Sequence, residues 1–60
     1  MGTNTNAISS LTGTVSNNTS NVSLNAGNIA SNTAGLVVAT QDITAIEAAA
    51  VILQNRVNQN

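Results

Sequence analysis

Residues 36–57 read LVVATQDITAIEAAAVILQNRV. Ala, Leu, Gln and Glu are good helix formers, and neither Gly nor Pro interrupts the run, so the stretch is expected to be helical. Leu36, Ile43, Ala50 and Val57 recur at every seventh residue, and Ala39, Ile46 and Leu53 follow three places behind the first three. Taking the first set as heptad position a and the second as d gives an apolar seam on one side of the helix. That is the pattern of a strand in a coiled coil.

The same frame carries back to the start of the chain without a skip. Position a is then Met1, Ile8, Val15, Val22 and Ile29, all apolar, while d is Asn4, Leu11, Asn18, Asn25 and Asn32, with Asn60 at the far end. A strict seven-residue repeat implies a left-handed supercoil of helices. The expected fold is therefore all-α, one long helix per chain, in a parallel homotrimeric left-handed coiled coil. Its core would consist of Ile8, Leu11, Val15, Val22, Ile29, Leu36, Ile43, Ile46, Leu53 and Val57. Positions b, c and f read as mainly Ser, Thr, Asn, Gln, Ala and Gly, with Gly13 and Gly27 at f and Gly35 at g. Fully helical, the segment would measure about 90 Å at ~1.5 Å per residue, a form with no place for an enclosed active site.

Composition points to self-association by elimination. A chain of 60 residues makes at most one small domain, and cores of that size usually need disulfides, metal or a partner. Cys, His, Phe, Tyr and Trp are all absent, which removes disulfides, an ordinary zinc site and aromatic packing. Asp42, Glu47 and Arg56 are the only ionisable side chains. One Arg cannot neutralise a row of phosphates, so nucleic acid is not an expected partner. The apolar run from Ile43 to Leu53 is shorter than the ~20 residues of a membrane span, and membrane insertion is not expected either. The opening Met1-Gly2-Thr3-Asn4-Thr5-Asn6 has neither the basic nor the apolar region of a signal peptide.

Two regions differ in character. Residues 1–35 are rich in Asn, Ser and Thr, whose intrinsic helix propensity is poor because their side chains compete for the backbone. Helix there needs stabilisation from assembly; the alternative is a disordered or loosely β-structured tail. Residues 36–60 form the Ala/Ile/Leu-rich part. Residues 15–28 and 29–42 share the pattern apolar-x-x-Asn, a short repeat that suits a quasi-one-dimensional assembly. The alternation that marks a β-solenoid is confined to short stretches such as Val22-Ser23-Leu24.

The polar d layers carry a local motif. It opens as Met1-Gly2-Thr3-Asn4-Thr5, returns as Val15-Ser16-Asn17-Asn18-Thr19, and is cleanest as Ile29-Ala30-Ser31-Asn32-Thr33. Val22-Ser23-Leu24-Asn25-Ala26 is a fourth copy without the Thr. This pattern resembles the polar core layers of trimeric coiled-coil stalks in bacterial autotransporter adhesins, and similar heptads occur in phage tail fibres and whiskers. The resemblance implies that three symmetry-related d-position amides hold an anion such as chloride on the axis. The positions that match are Asn4, Asn18 and Asn32, with Asn25 a weaker match, and Thr5, Thr19 and Thr33 as adjoining e residues. The resemblance implies no other cofactor. Without a ligand, core Asn would fix register and oligomer number at a cost in stability.

Ile43 and Ile46, β-branched at both a and d, lean away from dimers toward trimers or higher states. Asp42 at g and Glu47 at e are like-charged where neighbouring strands would meet, so ion pairs give no guide to the partner. The sequons at Asn17, Asn18 and Asn21 are of a kind that arises by chance in an Asn/Ser/Thr-rich chain. Asp42 and Glu47, five residues apart, do not form an acid/base pair on one helix face, and no His, Lys or Cys is present to activate a hydroxyl. An enzyme is not expected. The expected role is structural: a spacer in a phage virion appendage, which the opening favours, or in an adhesin stalk at the bacterial cell surface, which the Asn-Thr layers favour. Other virion or cell-surface proteins are the further partners this implies. A module that folds only on meeting a helical partner is the reading from another class.

Overall fold

The computed structural model describes all 60 residues, and 58 of them, Gly2–Gln59, form one helix, α1. There are no strands and no cis peptide bonds, and no residue has positive φ. The all-α expectation holds. The poor formers of residues 1–35 are helical, and the change of composition at Gly35 introduces no break. Contacts divide the chain into two units, Met1–Ala30 and Ser31–Asn60, described in turn.

In the first unit the Thr hydroxyls find their partners inside the helix. The Thr5 hydroxyl donates to the Met1 carbonyl at 3.0 Å, Thr12 to Ile8 at 2.8 Å, Thr14 to Ser10 at 3.1 Å and Thr19 to Val15 at 2.9 Å. Each bond spans one turn, so the hydroxyl is satisfied within the helix and does not compete for distant backbone. The Thr5 amide also donates to Met1 O at 3.1 Å, closing the first turn.

The second unit repeats this device at Thr40, which donates to Leu36 O at 2.8 Å, and at Thr44, which donates to Thr40 O at 3.0 Å. Its C-terminal end has three further supports. The Asn60 amide is shared between the carbonyls of Arg56 and Val57, both at 3.2 Å, and Arg56 lies in the last turn, where a cation complements the helix dipole. Gln54 Nε2 donates to Asn58 Oδ1 at 3.0 Å, an i,i+4 bridge.

Candidate assembly surface

No residue of the single helix is buried, and there is no internal core. Ile8, Leu11, Val15, Val22 and Ile29 in the first unit are each about two-thirds exposed, as are Leu36 and Ile46 in the second. A helix in water normally gains most of its stability by burying an apolar face. Any surface that stabilises this one must therefore come from outside the chain.

The first unit shows what such a surface would meet. Ile8, Leu11, Thr12 and Val15 line a shallow apolar groove. Their spacing, i, i+3, i+4 and i+7, is that of the four residues that make a hole for a neighbour's knob in coiled-coil packing. Thr12 enters this rim with its hydroxyl proton already given to Ile8 O, which lowers the cost of covering it.

The second unit has a broader apolar surface. Its groove is lined by Thr33, Leu36, Val37, Thr40 and Gln41, so it lies to the b and e side of the seam. Val37, Val38, Val51 and Ile52 are 51%, 55%, 60% and 52% exposed. In the heptad frame they occupy b and c, outward positions that the sequence reading assigns to small and polar residues; Leu24, at c, is a further departure. The period that makes the a/d seam visible also hides them, because they recur at 14 residues, not seven. This apolar breadth is why an 18-residue window of the helix is long and apolar enough, by length and composition, to cross a membrane. Judging residues 36–53 by the run from Ile43 to Leu53, which carries Glu47, underestimates them.

The polar d residues Asn4, Asn18 and Asn25 lie on the first unit and Asn32 on the second, all exposed. Asn18 and Asn25 are one heptad apart, about 10.5 Å along the axis. Their neighbours at e are not free donors. Thr5 and Thr19 use their hydroxyl protons on the carbonyls of the a residues Met1 and Val15, and Thr33 is also engaged. A hydroxyl that has donated its one proton can still accept. Thr5 and Thr19 thus keep acceptor capacity, while their hydroxyl protons are committed to the helix.

No family model matches the chain, and no curated protein or solved structure is significantly similar to it.

Proposed function

We propose that this chain is one strand of a parallel homotrimeric coiled coil that acts as a structural spacer in a phage virion appendage, a tail fibre or whisker. The supporting observation is one unbroken helix across the whole heptad pattern, with every a and d side chain exposed and no core of its own. The Asn-Thr layers favour a second setting, the stalk of a cell-surface adhesin, with the same mechanics. The role needs no catalysis: three strands bury the seam, and the stiffened segment holds neighbouring modules apart.

Two magnitudes support this reading over its rivals. Fully burying Ile43 or Ile46 is worth about 1.5–3 kcal/mol each, against a few tenths of a kcal/mol for an exposed like-charge contact. The seam therefore outweighs the repulsion between Asp42 and Glu47. For membrane insertion the balance reverses. Leu36, Val37, Val38, Ile43, Ile46, Val51, Ile52 and Leu53 would each contribute roughly −0.3 to −0.6 kcal/mol, whereas Asp42 alone costs about 2.5–3.5 kcal/mol and Glu47 is similar. Two acids cancel all eight apolar residues, and the segment is better suited to a protein seam than to lipid.

The Asn4, Asn18 and Asn32 layers are proposed anion sites, with chloride the natural occupant. Unpaired buried amides would cost about 1–3 kcal/mol each, and three of them converging on a threefold axis supply donors to a single point. Crystals of the assembled protein soaked in bromide test both levels. We expect three parallel helices around a threefold axis, with anomalous peaks on it at these layers. A threefold coil without peaks removes the anion and leaves the coil; a lattice without such a coil removes both.

A further inference from the structure

We infer that Asp42 and Glu47 bias which strands this seam accepts: they weaken, without preventing, association with an in-register parallel copy of the chain and favour a helical neighbour that carries Lys or Arg at either position. The inference rests on the parallel coiled coil proposed above. In that arrangement the g residue of one strand faces the e residue five positions further along its neighbour. Asp42 is at g and Glu47 at e, five residues apart in a helix continuous through both. On their own helix they are ~140° apart, on opposite flanks of the seam. They cannot meet within one chain, but across every interface of a trimer each Asp42 meets the neighbour's Glu47.

Nothing else in the chain relieves this contact. The only other ionisable side chain is Arg56, nine residues beyond Glu47 and about 13.5 Å along the axis, more than a Debye length at physiological salt. The residues flanking the pair on the same edges, Thr40, Ala49 and Gln54, are neutral. The two acids also sit beside Ile43 and Ile46, the β-branched layers on which association most depends. The repulsion is thus placed where it discriminates between partners without abolishing assembly. A neighbour with a basic residue at either position converts repulsion into attraction while leaving the apolar seam unchanged. The chemistry it fits is therefore a basic helix of the same heptad register.

The test uses the full chain and a double variant, Asp42→Lys with Glu47→Lys, one of them isotope-labelled. Each is annealed alone and then in a 1:1 mixture at low salt. Each parent alone juxtaposes like charges at all three interfaces, whereas a mixed trimer juxtaposes opposite charges at two of its three, and average helix propensity is the same in the mixture as in the two parents together. We expect native mass spectra enriched in mixed trimers over the statistical distribution. Mixed association should be roughly fourfold to thirtyfold tighter than the mean of the parents, and the advantage should shrink at about 1 M salt. Trimeric parents that mix only statistically overturn the inference and leave the coiled coil standing. Chains that stay monomeric at every concentration, both alone and mixed, overturn the coiled coil, and the inference with it.

Discussion

Replacing Ile43 and Ile46 together with Ala is expected to dissolve the assembly and most of its helix. Ala is the strongest helix former, so the double variant raises intrinsic helicity while removing two β-branched side chains from adjacent seam layers. Truncating a buried Ile to Ala typically costs about 2–5 kcal/mol, and a trimer loses six such side chains at once. Ile46 is 67% exposed and Ile43 55% exposed in the isolated helix, so the loss falls on association and not on an internal core. Circular dichroism at matched concentration should show helix lost despite the better propensity. Unchanged or increased helicity would mean that the helix is held by its local sequence and that the seam contributes little.

The opposite change is expected at the polar layers. Converting Asn18, Asn25 and Asn32 to Ile extends the apolar d column through the weakest part of the chain. Each substitution removes an amide that needs a partner and adds about 1–3 kcal/mol of apolar burial. The thermal midpoint should rise steeply. The cost should appear in specificity, since interior polar layers fix register and strand number and only the terminal Asn4 and Asn60 remain at d; the variant should sediment as a mixture of oligomers where the parent gives one. A lower midpoint would mean that the amide layers, with whatever they hold, are worth more than the burial that replaces them.

Much of the fold is legible in the chain. The a column, from Met1 to Val57, is apolar at every step, and a period sustained without a skip specifies a helix even where propensity argues against one. What propensity arguments miss is how Thr behaves here. Thr5, Thr12 and Thr19 are poor helix formers, yet they lie within the helix, each with its hydroxyl satisfied one turn back. That local bond is a matter of rotamer, and composition does not report it. The outward apolar residues are missed for a different reason. Val37, Val38, Val51 and Ile52 are plain in the sequence, but a frame chosen to explain the seam assigns them to positions expected to be polar. The polar layers are legible as positions, because Asn recurs at d beside an unbroken apolar a column. Their occupants are not, because three amides converge only when three chains do.

Sedimentation equilibrium tests the central claim most directly, with interference optics because the chain has no Trp or Tyr to absorb. The account predicts a single species of about 18 kDa, three times the 6.0 kDa chain, stable across concentration and helical by circular dichroism on the same sample. A weakly helical 6.0 kDa monomer at every concentration would contradict it and make the partner-dependent binding module the better description.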